Sequence, residues 1–307
     1  MTNISASLVK DLREKTGAGM MDCKKALTET QGDFEAAIDW LKKNGLAAAA
    51  KKSGRVAAEG VTSVYVEGHK AVAVEINSET DFVSKNDIFL NFAKDVTKAA
   101  IHCNNIDELK QAKMSSGKTV EEELVDKIAT IGENLTVRRM ESVSVNNGVV
   151  VPYVHNAVSD SIGSIAVLVA LESKGDKDKL TALAKQLAMH IAAARPTCLD
   201  VNSVDPAMVE RERQIFIEQS RASGKPDNII EKMTEGRIRK FFEEIVLLEQ
   251  VFVIDGKTKI SEVVSNLAKE LGTAVELKAY IRFEKGEGIE KTVTNFADEV
   301  ASVMQGN

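Results

Sequence analysis

Hydrophobic and polar positions change period along this chain, and the changes divide it. Over residues 5–45 the period is helical. Ser5 can cap a helix whose apolar face includes Leu8 and Leu12, and Thr16-Gly17-Ala18-Gly19 ends it. A second helix carries Met21, Cys23, Ala26 and Leu27. Gly32-Asp33 breaks and re-caps the chain, and a third helix runs through Phe34, Ala37, Ile38 and Leu41 to a stop expected at Asn44-Gly45. Residues 46–60 read as a linker with some helical tendency and almost no large apolar anchor. The period then becomes two: 61–67 and 71–77 form a hairpin through Gly68-His69. Helices near 87–102, 105–113 and 119–131 and a strand at 135–145 follow. A fainter echo of this plan has strands at 149–154 and 163–171, a helix at 177–194, a helix near 259–271 and a strand at 274–284.

The pattern predicts an α+β fold of two related halves, each an antiparallel sheet covered by helices, behind a small three-helix head. The second half is interrupted between 205 and 245. There Met208, Val209, Ile215 and Phe216 mark one helical arm, and Ile229, Ile230, Met233, Ile238, Phe241, Phe242 and Ile245 mark another. Ser223-Gly224-Lys225-Pro226 between them cannot continue a helix. The narrow stripe and dense charge predict a helical hairpin that projects from the body. The expected units are a head at 1–45, a linker at 46–60, a first core half at 61–145, a second at 146–204 and 246–307, and the hairpin at 205–245.

With 307 residues, 44% hydrophobic and 28% charged, a sizeable core is possible. The net charge of −6 argues against a general phosphate-backbone binder. It is unevenly spread: residues 1–55 carry +3 and the remainder −9, a basic head on an acidic body that suits a charged docking surface. Cys23, Cys103 and Cys198 are widely separated and have no metal-ligand spacing, as expected of reduced thiols. No apolar run is long enough for a bilayer, and Met1 to Ser5 has no basic-then-apolar leader, so a cytoplasmic protein with no membrane contact is expected.

A search for reactive chemistry finds little. Gly117-Lys118-Thr119 matches the end of a phosphate-binding loop, but position 112 is Ala and the preceding stretch is a charged helix rather than a buried strand. Gly256-Lys257-Thr258 fails similarly, with Val251. His69, His102, His155 and His190 have no metal spacing, and no nucleophile elbow or Cys/His pair is evident. Aromatic residues are 5% of the chain and do not interleave with Lys and Arg, which disfavours direct nucleic-acid binding. The expectation is a binding protein with no catalytic residue, cofactor or metal of its own.

The turn from Asn77 to Asp87 is polar on both sides yet holds an Asp-Phe pair, Asp81-Phe82. Two readings are open. Phe82 either folds back as a hydrophobic staple beside the next helix, or it is a wedge presented to another protein.

The run Leu12-Arg13-Glu14-Lys15-Thr16-Gly17-Ala18-Gly19-Met20-Met21-Asp22-Cys23-Lys24-Lys25-Ala26-Leu27 resembles the N-terminal signature of the bacterial elongation factor Ts family. Glu79-Thr80-Asp81-Phe82-Val83 resembles its central signature. Ile131-Gly132-Glu133-Asn134, Ala188-Met189-His190-Ile191-Ala192, Glu235-Gly236-Arg237 and Arg282-Phe283-Glu284 also sit where that family has them. The resemblance implies a factor that promotes GDP release from the GTPase elongation factor Tu. It implies a ubiquitin-associated-like head that docks through Arg13, Met20, Met21 and Lys24. Thr80, Asp81, Phe82 and Val83 would form the segment that intrudes near the partner's magnesium site, Ile131 and Gly132 a further contact, and His155 a contact to the partner's later domains. The hairpin would match a coiled-coil insertion able to self-associate, and the segment around Asn295 to Met304 a C-terminal helix. The loop 156–161 after His155 lacks the Gly and basic residues often found there in the family. The alternative is a non-catalytic adaptor that binds ubiquitin-like or helical partners through its head.

Overall fold

Local signals in the sequence start and stop the helices of the head. The structure, a computed structural model, describes residues 4–224 and 226–290; the C-terminal helix expected around Asn295 to Met304 lies outside them. Ser5 accepts a hydrogen bond from Leu8 N to start α1 (Ala6–Thr16), and Gly17 closes it in the left-handed region. α2 (Met20–Glu29) and α3 (Phe34–Lys52) follow, with Asp33 capping α3. Leu12, Cys23, Ala26, Leu27 and Ala37 are fully buried between the three helices.

The stop expected at Asn44-Gly45 does not occur, because α3 continues to Lys52. Its alanine-rich second half is made of strong helix formers. Gly45 is buried there against Ala129 and Val125 of α6 (Val120–Ile131), so the helix is held by a neighbour rather than ended by its glycine.

The first sheet contains β1 (Glu59–Glu67), β2 (Lys70–Ser78), β3 (Leu135–Ser144) and the short β5 (Ile162–Gly163), in the order β3-β2-β1-β5. The second contains β4 (Gly148–His155), β6 (Ile165–Ser173) and β7 (Val275–Glu284), in the order β4-β6-β7. The strand pairings within both sheets are antiparallel. The strand expected at 163–171 is divided. Ile162 and Gly163 pair with β1, Ser164 donates to the His155 carbonyl, and β6 then joins the other sheet.

The two sheets lie face to face. Ala71 and Ala73 of β2 pack in one cluster with Ala166, Leu168 and Ala170 of β6 and with Ile281 and Phe283 of β7. The opposite face of β2, Val72, Val74 and Ile76, packs against Phe89, Phe92 and Val96 of α4 (Asp87–Ala100), Leu109 of α5 (Ile106–Gln111) and Ile128 of α6. Likewise Val167, Val169 and Leu171 pack against α7 (Lys177–Ala194) and α10 (Ile260–Leu271). The layers are therefore helix, sheet, sheet, helix. This is why β2 and β6 are buried along nearly their whole lengths.

α8 (Pro206–Ala222) and α9 (Asp227–Ile245) form the hairpin. α8 buries none of its residues, whereas α9 buries Ile230, Thr234 and Ile238. The Arg237 guanidinium lies 4.4 Å from the centre of the Phe216 ring and joins the arms.

Where the hairpin returns to the body, His190 of α7 is buried. Val253 N donates to its Nδ1 at 3.2 Å, so Nε2 carries the proton and donates to Gln250 Oε1 at 2.8 Å. Burial pushes the imidazole below its ordinary value, and the Gln250 hydrogen bond opposes this. A folded value below the unfolded one means that the unfolded chain binds the extra proton. Stability from this site is full above about pH 6.5, the unfolded value, and is lost as pH falls through the folded value. Urea unfolding midpoints measured from pH 8 down to pH 5 should therefore fall more steeply for the native chain than for His190→Gln. Parallel slopes would show that His190 does not titrate on unfolding.

Candidate functional site

β2 ends at Ser78, and the chain turns sharply outward. Ser78 Oγ donates to Thr80 O at 2.9 Å and fixes the first bend. Thr80 then donates twice to the Glu133 carboxylate, from N to Oε2 at 3.0 Å and from Oγ1 to Oε1 at 2.6 Å. In return Asn134 N donates to Glu79 Oε1, and Asn134 Nδ2 donates to Arg55 O at 2.7 Å. Arg55 Nη1 stands 3.5 Å from the same Glu79 oxygen. Gly132 makes this exchange possible. It closes α6 at φ +86°, donates to Ile128 O, and turns Glu133 and Asn134 toward the end of β2.

Beyond Phe82 the chain is fixed again. Val83 is buried and joins the first core, while Ser84 Oγ donates to Gly60 O at 3.0 Å. A short 3-10 turn over Val83–Lys85 leads to Asn86, whose side chain caps α4 by accepting from Ile88 N and Phe89 N. Asp81 and Phe82 stand between these two anchors. Asp81 is exposed, and Phe82 is 81% exposed, the most exposed large hydrophobic residue among those described. The staple is excluded for the free chain, because a ring packed beside α4 would be covered; Val83 takes the inward position instead.

The head lies next to this turn through α6. α3 packs on α6 at Gly45, and Thr130 Oγ1 donates to Gly17 O at 3.4 Å. Thr130 immediately precedes Ile131 and Gly132, so the α1–α2 loop, the end of α6 and the Thr80–Val83 turn form one contiguous region. Of the head residues singled out by sequence, Arg13 and Lys24 are exposed, Met20 is 57% exposed and Met21 73%. Ile131 is half-buried, and Gly132 is exposed. Met20, Met21 and Phe82 are thus large apolar side chains left uncovered in this region.

His155 stands apart. It ends β4 in the second sheet, is exposed, and shares a hydrogen bond with Tyr153 Oη through Nδ1 at 3.1 Å. Asn156 follows at φ +49°. The structure brings together the Thr80–Val83 segment with Ile131 and Gly132, sets the head beside them, and leaves His155 elsewhere.

The loop with a phosphate-binding appearance serves another purpose. Thr119 and Glu122 form a capping box at the start of α6, and Lys118 Nζ pairs with Asp126 at 2.5 Å. α5 rather than a strand precedes it. Among the described residues no group of His, Cys, Asp and Glu could hold a metal ion, and no helix is long and apolar enough to cross a membrane.

Sequence reasoning missed Glu133 and Arg55 as supports of the turn and Thr130 as a link between the end of α6 and the head. Their partners lie 53, 24 and 113 residues away, so no local spacing reveals them. The available signal was Gly132 after a helical run, which marks a helix end and hence a chain reversal.

Residues 79–287 match the family model described as Elongation factor TS. The chain is 58% identical over 305 residues to "Elongation factor Ts" of Rickettsia felis and 58% identical to that of Rickettsia bellii, covering 99% of both chains in each case. It is 57% identical over 305 residues, with the same coverage, to "Elongation factor Ts" of Rhodospirillum centenum. A family model spanning more than half the chain and relatives matching nearly all of it lead to one conclusion: the chain belongs to the elongation factor Ts family.

Proposed function

We propose that this protein is the guanine-nucleotide exchange factor of elongation factor Tu in translation elongation, working in the cytoplasm, and that Asp81 and Phe82 drive release of GDP by disturbing the partner's magnesium and phosphate site. The observation that carries the proposal is the 81% exposed Phe82 ring in a turn anchored on both sides. The activity makes and breaks no covalent bond. An exchange factor must bind the nucleotide-free partner better than the GDP-bound one, and by linkage GDP and the factor then weaken each other equally. An apolar ring driven into the packing around the magnesium ligands supplies that difference. The Asp81 carboxylate adds repulsion toward phosphate and competes for the groups that surround the metal.

Arg13, Met20, Met21 and Lys24 on the head, with Ile131 and Gly132 beside the turn, supply the docking contacts that offset the distortion. In this reading Thr80 and Val83 hold the Asp-Phe pair at the interface. His155, on the other sheet, meets a separate part of the partner, and the α8–α9 hairpin is an outer element that supports self-association.

Removal of Phe82 separates the two readings of the turn. Phe82→Ala should change the stability of the free protein by less than about 0.5 kcal/mol, whereas Val83→Ala should cost about 1–3 kcal/mol. Release of a fluorescent GDP analogue from elongation factor Tu should slow at least about tenfold for Phe82→Ala, with a smaller loss for Asp81→Asn, which keeps shape and removes charge. Normal release by Phe82→Ala would remove the basis of the proposal.

The head should act on association. Arg13→Glu should raise the concentration of factor needed for half-maximal release, with the effect shrinking at high salt, and should leave the saturating rate and the melting of the body unchanged. An unchanged half-saturating concentration would show that Arg13 lies outside the docking surface.

A further inference from the structure

We infer that Glu133 is a positioning residue for exchange: through Thr80 it holds the Asp81–Phe82 pair in the conformation that enters the partner. The inference rests on the exchange reading above and adds a residue that touches neither nucleotide nor metal.

The geometry is specific. Each Glu133 oxygen accepts one hydrogen bond from Thr80, one from the backbone N–H at 3.0 Å and one from the hydroxyl at 2.6 Å. The fork fixes both the backbone plane and the side-chain rotamer of the residue immediately before Asp81. The reciprocal bond from Asn134 N to Glu79 locks the same two segments in the other direction. Downstream, Val83 is held by the core and Ser84 by Gly60 O. From Glu79 to Ser84 only Asp81 and Phe82 are exposed, so the wedge is a two-residue arc clamped at both ends, and Glu133 is the upstream clamp.

Glu133 is poorly placed to serve its own helix. It follows the C-terminal cap of α6, where the negative end of the helix dipole disfavours a carboxylate. Thr80 is what the carboxylate is placed to meet. Without the Glu133 fork, Thr80 keeps only the Ser78 hydrogen bond to its carbonyl, and the arc samples more conformations. Docking through the head and the end of α6 would still occur. Insertion of the ring, an intramolecular step after docking, would start from a smaller competent fraction. The loss therefore falls on the saturating rate rather than on the concentration dependence.

The test measures release of a fluorescent GDP analogue from elongation factor Tu at rising concentrations of full-length factor. It compares the native chain, Glu133→Ala, Thr80→Val, Thr80→Ser, Phe82→Ala and the Glu133→Ala/Phe82→Ala pair, with thermal melting of each. Glu133→Ala should lower the saturating rate about tenfold, as expected for loss of a charge-assisted pair, with the half-saturating concentration within about twofold of native. Thr80→Val should lose part of this rate, and Thr80→Ser, which keeps both donors, should restore it. The double variant should be no slower than Phe82→Ala, because positioning an absent ring has no value. A native saturating rate in folded Glu133→Ala, a loss confined to the half-saturating concentration, or losses that multiply in the double variant would overturn the inference. Should Glu133→Ala melt too early to assay, Thr80→Val decides, and a native rate there also overturns it. Slow release by Phe82→Ala with native release by Glu133→Ala removes this inference alone; native release by Phe82→Ala removes the exchange reading and this inference with it.

Discussion

The Glu75 carboxylate, wholly buried in the middle of the first sheet, joins the two halves. It accepts hydrogen bonds from Arg138 Nη1 at 2.9 Å, Arg139 Nε at 2.5 Å, Asn77 Nδ2 at 2.9 Å and Gly286 N at 2.7 Å. The register of β2 against β3 shifts between Glu75 and Ile76, so Arg138 is an extra residue. The bulge lets two consecutive arginines reach one carboxylate, which regular pleating forbids. Gly286 comes from the turn after β7, where any Cβ would collide with the Ala58 carbonyl. Arg139 also stacks 4.2 Å from the centre of the Phe283 ring, and Arg282, nearly buried, pairs with Glu284 and Glu287. Removing one partner from such a network costs about 3–5 kcal/mol, because the remaining charges have lost their compensation.

That clamp sits at the base of the exposed Asp81–Phe82 turn. Glu75 lies three residues before Ser78, where the turn begins, and β3, which supplies both arginines, begins directly after Asn134. The same pair of strands thus carries the inter-sheet clamp in its interior and the Glu133–Thr80 clasp at its end. The turn inherits its position from the rigid part of the fold, while Asp81 and Phe82 remain uncovered. A preorganised ring loses less conformational freedom when it enters a partner than a mobile one would.

Much of the fold was legible because it is local. Ser5 and Asp33 cap the helices that their types suggest, and alternation placed Val72, Val74 and Ile76 on one face of a strand. Gly45 misled, since its role is packing against α6 rather than termination. The stacking of the sheets was missed. Ala71 and Ala73 mark it, because a strand face of alanines fits a closely approaching second sheet, but alternation alone cannot say what covers a face. At the site, the Asp-Phe pair announced itself as an apolar ring in a polar turn. The supports did not, since Glu133 and Arg55 act across long sequence separations. His155 was legible only through family resemblance, and nothing in its surroundings ties it to the turn.

The central claim is that the clamped Phe82 works by disturbing the partner's magnesium site. The most direct measurement is the ratio of GDP-release rates catalysed by the native chain and by Phe82→Ala, followed from saturating magnesium to full chelation. If the ring acts by displacing packing around the metal, the ratio is large when magnesium is bound and approaches one as the metal is removed, because the barrier that the ring lowers is then already absent. A ratio that stays constant across the magnesium range would contradict the account and place the contribution of Phe82 in a step unrelated to the metal.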